Sequence, residues 1–546
     1  MSVKNKIYLP LIIVCSIIVG LFLGDYVNFG GDHSPDFQHD TPTSRFDILN
    51  HFIENDYVDS VDLYQLEETA IISMLDSLDP HSTYLGADDL RASNEIMKGN
   101  FEGIGVQFRI EDDTIYIAGV IQGGPSEKVG IRTGDRIVKV NDSIVAGIGI
   151  ENSDVQKLLK GPKGSVVKVG IVRRNVSDIL SFNIVRNVIP NTSVDIAYMV
   201  EPTIGYIKVS TFSMTTGKEF RNALKKLKNL GMQSLILDLR DNGGGLLRAA
   251  VEMCSEFLEK GSLVVFTEGL NSPRSDVKAY LNGNFLDGDL VVLVNESSAS
   301  ASEIVAGAVQ DHDRGVIIGR TTFGKGLVQE QLNLDDSSAV RLTVARYHTP
   351  SGRCIQRPYE GGRNKYYEDY YERYVSGELM YEDSIRIVDT TQKFYTASNR
   401  VVYGGGGINP DIFVPLESVK DNNFYYQLLN KSVLFAYSFD YTDARRDDLL
   451  GKYPDSQSFI DNFTVSEKMM GDIISEAKDN NIVVDNDQYM EEKNDIKILV
   501  KSYIGRNLYD YEAFYPVYHK IDDEVQKAVE VLTDQQNLST FMSISE

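Results

Sequence analysis

Hydrophobic positions change their spacing several times along this chain, and each change predicts a different kind of element. Short apolar runs at Leu290–Val294 and Gly315–Gly319 are typical of buried strands. The stretch 302–310 combines small and apolar residues, as expected of a closely packed helix. Strands and helices alternate from about 187 to 356, which predicts a mixed α/β domain. Residues 416–546 contain only three glycines and many charges, which predicts a mostly helical region.

Two patterns distinguish the N-terminal part. Ile7–Gly24 is an uncharged apolar stretch of 18 residues that follows Lys4 and Lys6. This predicts a single-pass inner-membrane anchor with the catalytic part in the periplasm or extracytoplasmic space. A cleaved signal segment, with secretion to the periplasm, is the alternative. Beyond a polar linker, apolar residues recur at helical spacing over 46–57 and 66–78, which predicts helices for packing or for forming a homodimer or higher oligomer.

Composition excludes some partners. The net charge is −25, so nucleic acid is not an expected partner. The seven histidines are scattered, and neither a Gly-Lys-Ser/Thr loop nor a Gly-x-Gly-x-x-Gly turn follows a strand. We therefore expect no metal site and no cofactor.

Ser300 and Lys325 are the residues most indicative of chemistry. Ser300 lies between a predicted strand and a predicted helix, where backbone N–H groups favour negative charge. Lys325 follows 25 residues later, between two glycines. A serine hydroxyl needs a base, and a lysine whose pKa is lowered by burial can serve. Gln329 follows at four residues and could hold the amine in line, so the pair predicts a Ser–Lys hydrolase.

Histidine is the competing base. His312 lies 12 residues after Ser300, which along one helix is about 18 Å. That distance excludes it, whereas His81 and His348 are not excluded by geometry. Lysine remains the better candidate, although the dyad could be assembled only when a ligand binds.

A glycine-rich turn offers the second part of a hydrolytic site. The apolar run 234–238 ends in Asp241-Asn-Gly-Gly-Gly245. Glycine lets backbone N–H groups approach a ligand closely. The turn could therefore supply one donor of an oxyanion hole, with the Ala301 N–H as the other.

These motifs together resemble the C-terminal processing (tail-specific) serine peptidases. The resemblance runs in consistent order from about 40 to 415 and includes 78–85, 238–245, 298–304, 323–329, 346–353 and 407–412. It implies Ser300 as nucleophile, Lys325 as general base and Gln329 as the orienting partner of the lysine. It also implies an oxyanion hole formed by Ala301 and a glycine of Gly243–Gly245, with Gly244 or Gly245 favoured.

Residues 99–186 resemble a PDZ domain. The chain enters a strand through Phe101-Glu-Gly-Ile-Gly-Val106, and a helix is predicted near 152–160. A PDZ domain captures a chain end by adding it as a strand to an open sheet edge. The resemblance implies that Gly103, Ile104, Gly105 and Val106 receive the carboxylate of a polypeptide tail.

The predicted fold is therefore a multidomain α/β and α+β protein. It has a crotonase-like mixed α/β protease core with an inserted PDZ-like β-rich domain, N-terminal helices and a helical C-terminal region. The expected divisions are 1–24 (anchor or signal), 25–98 (linker and helices), 99–186 (PDZ), 187–415 (core, with an insertion at 357–403) and 416–546 (helical domain).

The expected function is an envelope endopeptidase that binds unfolded or C-terminal protein tails and cuts them with the Ser–Lys dyad. Two alternatives stay open at this stage. One is a membrane-tethered tail-binding scaffold with an inactive core. The other is a crotonase-like acyl-thioester enzyme, because two backbone N–H donors also stabilise enolates.

Overall fold

The computed structural model describes residues 44–121, 123–334, 337–386, 392–416 and 423–534. The chain divides at Ile71 into two compact units. The predicted anchor Ile7–Gly24 lies outside the described residues. Within them, no helix has the length and apolar character needed to cross a membrane.

The described chain begins with helices. The bounds are α1 (Arg45–Asp56), α2 (Leu63–Asp76) and, after strand β1 (Thr83–Leu85), α3 (Ala87–Lys98). The Ser44 hydroxyl accepts from the Phe46 N–H, and the Asp47 carboxylate accepts from the Ser44 N–H, which fixes the start of α1. No residue of α1 is buried, although the helix carries several large apolar side chains.

A β-rich unit follows, and its two ends are held together by one pair of strands. The pair is β2 (Asn100–Gly103) with β9 (Asn187–Pro190), antiparallel. Between them lie β3 (Val106–Glu111), β4 (Thr114–Val120), α4 (Pro125–Val129), β5 (Arg136–Val140), β6 (Ser143–Ile144), α5 (Asn152–Leu159), β7 (Val166–Val172) and β8 (Leu180–Val185). The sheet order is β3-β4-β5-β7-β8, so β3 is an edge strand. Val155 and Leu159 of α5 pack with the apolar side chains of β3.

The core alternates strands and helices. Its elements are β10 (Val194–Glu201), β11 (Ile204–Val209), α6 (Thr216–Asn229), β12 (Ser234–Asp238), α7 (Leu247–Cys254), β13 (Leu263–Gly269), β14 (Ser272–Lys278), β15 (Asp289–Val294), α8 (Ala301–Asp311), β16 (Val316–Gly319), β17 (Leu327–Asn333) and β18 (Ala339–His348). The main sheet has the order β10-β11-β12-β15-β16-β21, with β21 (Ile412–Phe413) as its last strand. All neighbours from β11 to β21 are parallel. The carboxyl ends of β12, β15 and β16 therefore lie at one edge.

A second, antiparallel sheet stands beside this edge. Its order is β1-β18-β13-β14, and β17 pairs with β18. The segment after it contains α9 (Gly362–Val375), a 3-10 turn (Glu382–Ser384) and a hairpin of β19 (Lys393–Tyr395) and β20 (Val401–Tyr403). The second sheet thus places Gln329, on β17, near the chain that leads into β1.

The last region is helical throughout its described part, apart from short connections. Its helices are α10 (Phe424–Asn430), α11 (Val433–Lys452), α12 (Ser456–Asn462), α13 (Glu467–Asp479), α14 (Asn486–Tyr509), α15 (Tyr511–Tyr518) and α16 (Asp523–Thr533). Most of them share one apolar core that includes Phe459, Ile473 and Ile504. Helix α16 is different, because Val525 and Ala528 pack on the main sheet against Ile236 and Val291.

Candidate active site

Three loops meet where the parallel strands end. The loop after β12 contains the glycines, the loop after β15 contains Ser300, and the loop after β16 contains Lys325. In open α/β sheets this carboxyl edge is where ligands bind. The predicted nucleophile, base and oxyanion residues thus lie in the loops that follow three adjacent strands.

Ser300 has a strained backbone at the start of α8. Its φ is 55° and its ψ is −111°, a conformation rare for a residue with a side chain. The glycine loop packs closely against it. A Cβ atom on Gly244 would lie 2.7 Å from Ser300 Cβ and 2.9 Å from the Ala301 nitrogen. Only glycine allows this close approach of the loop to Ser300.

The backbone N–H groups around Ser300 differ in whether they already donate a hydrogen bond. Gly244 N–H donates to Asn242 Oδ1 at 2.9 Å. Within the described ranges, the N–H groups of Ala301 and Gly245 have no backbone or side-chain acceptor. Of the two glycines that the sequence favours, Gly245 is therefore the one with a free donor.

Lys325 is held on the side facing β17. Its Nζ donates to Gln329 Oε1 at 3.0 Å, and Gln329 Nε2 donates to the His81 carbonyl at 2.5 Å. Burial lowers the pKa of Lys325, while the carboxylates of Glu303 and Asp79 partly oppose that shift. Nζ makes no hydrogen bond to Ser300 Oγ in the part of the chain that the structure describes. The structure therefore brings Gln329 against the lysine without joining the dyad directly.

Glu303 connects the nucleophile loop to the lysine loop. Its carboxylate is fully buried and accepts hydrogen bonds from four groups: Ser300 N–H (2.8 Å), Lys325 N–H (2.9 Å), Gly324 N–H (2.7 Å) and Thr322 Oγ1 (2.6 Å). The Ser300 and Lys325 N–H groups share one oxygen, Oε2. One side chain thus fixes the backbone of both predicted catalytic residues.

Two further features surround this carboxylate. Burial raises the pKa of Glu303 to about 7, although its hydrogen bonds oppose the shift. Tyr347 Oη donates to the backbone carbonyls of Ser300 (3.1 Å) and Lys325 (2.5 Å). The sequence alone does not single out Glu303 or Tyr347. The only available signal was the position of Glu303 inside the serine motif.

The histidines are engaged elsewhere. His81 Nε2 lies 2.9 Å from Tyr366 Oη, and burial followed by the charge of Lys325 lowers the pKa of His81 to about 3. His348 stacks on Phe266. His312 lies at the far end of α8 and contacts the Leu263 carbonyl. These contacts support lysine as the base.

The insertion predicted at 357–403 contacts the lysine loop through α9. Arg373 donates to the carbonyls of Thr321 (2.7 Å) and Thr322 (3.3 Å). Tyr366 packs edge-on against Phe323, which precedes Gly324. The helix therefore fixes the backbone that leads into Lys325.

The predicted tail-binding loop opens onto the edge strand β3. Gly103 ends β2, Ile104 is buried, Gly105 has a φ of 75° and Val106 begins β3. Across the described chain, the N–H groups of Ile104 and Gly105 have no acceptor. Free amides beside an open strand edge and a helix are what carboxylate capture requires.

Family models match three parts of the chain. They are Peptidase family S41 at 203–361, the PDZ domain at 103–184 and a family of unknown function (DUF8443) at 424–510.

Named relatives agree with these matches. The carboxy-terminal processing protease CtpA of Bacillus subtilis (strain 168) is 36% identical over 358 residues, which cover 65% of this chain and 76% of that protein. The carboxy-terminal-processing protease of Bartonella bacilliformis is 38% identical over 321 residues, 57% of this chain and 72% of that protein. The solved structure of a photosystem II D1 C-terminal processing protease is 30% identical and covers 57% of this chain and 83% of that one, with a TM-score of 0.34.

Proposed function

Because this chain belongs to the carboxy-terminal processing proteases of peptidase family S41, we propose that Ser300 is its nucleophile and Lys325 its general base. The chain is a serine-type peptidase by that membership. The observation that carries the assignment is the shared Glu303 oxygen, which accepts from the N–H groups of both residues. It holds the two loops in contact at the sheet edge.

Acylation follows from this arrangement. Substrate binding brings the neutral Lys325 amine to Ser300 Oγ, since catalytic hydrogen bonds often tighten only in the complex. Oγ attacks the scissile carbonyl carbon while Nζ takes its proton. The N–H groups of Ala301 and Gly245 stabilise the resulting oxyanion. The C–N bond then breaks, and the Lys325 ammonium returns its proton to the leaving amine.

Deacylation repeats these proton transfers with water as the nucleophile and Ser300 Oγ as the leaving group. Water attacks the ester carbon, and Lys325 takes a proton from that water. The ester C–O bond breaks, the new carboxyl product leaves, and the proton passes back to Ser300 Oγ. Gln329 keeps Nζ oriented through both steps by accepting its hydrogen bond.

We also propose that the PDZ domain captures the substrate tail. An extended tail would add to the free edge of β3 beside α5, and its carboxylate would bind at Gly103–Val106. The substrates are then polypeptides with accessible, unfolded C-termini. The apolar segment Ile7–Gly24 supports placing this activity in the cell envelope, with that segment as membrane anchor or export signal.

The test uses the purified full chain and a disordered reporter ending in apolar residues. Ser300→Ala and Lys325→Ala are expected to lower kcat by about 1,000-fold or more, because the two groups act as a unit. Exposed residues of the same type, changed in Ser297→Ala and Lys278→Ala, provide matched controls. Full activity in both Ser300→Ala and Lys325→Ala would exclude the dyad. Reporter binding without cleavage by the wild-type chain would instead favour the scaffold alternative.

A further inference from the structure

The last helix of the described chain presents two carboxylates to the arginines that begin the catalytic loops. Asp522 caps α16, and Glu524 lies in its first turn. Arg240 directly precedes the glycine loop, and Arg320 directly precedes the lysine loop. The acidic pair (Asp522 and Glu524) therefore contacts the two arginines that directly precede the glycine and lysine loops.

Glu524 bridges the two arginines. Its Oε1 lies 2.6 Å from Arg320 Nη1, and its Oε2 bonds to Arg240 Nη1. Asp522 binds Arg240 through both oxygens, each at 3.0 Å. Paired hydrogen bonds between a guanidinium and a carboxylate fix geometry as well as charge.

The nucleophile loop is tied into the same network. Arg320 Nε lies 2.7 Å from Glu296 Oε2, and Glu296 is four residues before Ser300. Arg240 also pairs with Asp238, whose Oδ2 lies 2.7 Å from Arg240 Nη2. All three loops are thus connected, through two arginines, to one helix.

Apolar contacts also hold α16 on the main sheet. Val525 and Ala528 are fully buried against the main sheet, among the apolar side chains of Ile236 and Val291. The network also contains one more carboxylate than it has cations. Its three cations are those of Lys208, Arg240 and Arg320, and its four carboxylates are those of Asp238, Glu296, Asp522 and Glu524. Loss of the Glu524 charge leaves three cations and three carboxylates.

We infer that Asp522 and Glu524 are positioning residues for peptide hydrolysis, acting through Arg240 on the glycine loop and through Arg320 on the serine and lysine loops. The inference rests on the proposed Ser300–Lys325 dyad. Both carboxylates lie outside the stretches 203–361 and 424–510 that the family models match. A displacement of about 1 Å between reacting groups costs about 100-fold in rate, so small movements of these loops matter.

The experiment compares isosteric variants of the full chain. Glu524→Gln and Asp522→Asn/Glu524→Gln remove charge while keeping side-chain size, and asparagine also caps a helix. Glu530→Gln, on the exposed side of the same helix, is the matched control. Each protein is assayed for kcat and KM on the disordered reporter and for the rate at which a small fluorophosphonate labels Ser300. All assays are made below the melting temperature of the least stable variant.

We expect the double variant to lose about 10- to 100-fold in both kcat and labelling rate, with KM within about twofold of wild type. Glu530→Gln should match wild type. Unchanged kcat and labelling in folded variants, or a change in KM alone, would overturn the inference. If the double variant does not fold, the kcat, KM and labelling rate of Glu524→Gln, compared with those of the wild type, provide the test. Labelling of Ser300→Ala at the wild-type rate would instead refute the proposed nucleophile.

Discussion

Glu303 affects catalysis both through its hydrogen bonds and through its charge beside Lys325. The Glu303→Gln variant should lose about 10- to 100-fold in kcat, because the amide has one acceptor oxygen instead of two and leaves at least one buried N–H unpaired. The charge of Glu303 raises the pKa of Lys325. Its removal should therefore lower that pKa. The rise of kcat/KM with pH, which reports loss of the lysine proton, is expected to move to lower pH.

The matched control for this prediction is Glu330→Gln. Glu330 lies on β17 beside Gln329 and is exposed, so its charge is screened by solvent. Its pH profile should coincide with that of wild type. A profile of Glu303→Gln that stays in place or moves to higher pH would contradict the electrostatic role of Glu303.

For single residues, the sequence predicts which side chains could carry out the reaction better than it predicts which side chains touch each other. Ser300, Lys325 and Gln329 stand in short motifs whose residue types indicate a reaction. Glu303 stands in the serine motif too, but its partners in the lysine loop are 19 to 22 residues away. Which side chain crosses between two loops depends on strand order, and one sequence does not specify that order.

The edge strand β3 gives a prediction about the substrate tail. If Ile104 and Gly105 N–H groups bind a terminal carboxylate, an amidated tail should bind more weakly. Hydrogen bonds to a charged group contribute about 1.5–3 kcal/mol, so KM is expected to rise about 10- to 100-fold. The measurement compares two reporters that differ only in a free or amidated C-terminus.

Fluorophosphonate labelling of Ser300 is the internal control for this comparison. It requires no tail, so it should proceed equally in the presence of either reporter at concentrations far below KM. Equal KM values for the free and amidated reporters would refute carboxylate capture at Gly103–Val106.

Elements were predicted where their hydrophobic pattern is continuous. The runs that form β12, β15 and β16 and the helix α8 were recognised from the sequence. The predicted fold class, a mixed α/β protease core with a PDZ domain and a helical C-terminal region, is confirmed. The role of α9 was not predicted, because a composition rich in Tyr, Glu and Asp does not reveal that Arg373 and Tyr366 face the lysine loop.

At the scale of the whole molecule, the C-terminal helices contact both the PDZ domain and the protease core. Arg109 of β3 lies over the ring of Phe439 on α11, 3.7 Å from its centre. Asp443 of the same helix pairs with Arg174 at 3.2 Å and Arg136 at 3.9 Å. The face of the PDZ sheet beside the proposed tail-binding edge is thus packed on the helical region.

Asp443→Lys should therefore weaken the hold on the PDZ domain, because it places a cation against two arginines. With the domain free to move, a captured tail is delivered to Ser300 at a lower effective concentration. We expect the ratio of kcat/KM for the free reporter to kcat/KM for the amidated reporter to fall several-fold. Asp440→Lys, on the exposed side of α11, is the control. An unchanged ratio in Asp443→Lys would show that this contact does not affect tail delivery.

The N-terminal helix α1 carries large apolar side chains that are exposed. Phe52 and Leu49 are 64% and 51% exposed, and Phe46 lies on the same helix at 48%. Exposed apolar side chains grouped on one element are a feature of interaction surfaces. We propose that this surface binds a second copy of the chain, so Phe52→Glu should lower the mass measured by light scattering toward that of one chain. Leu270→Glu changes an apolar side chain that is 99% exposed in a hairpin turn, and it should leave the mass unchanged. A wild-type mass of one chain, or equal masses for the wild type and Phe52→Glu, would refute self-association through α1.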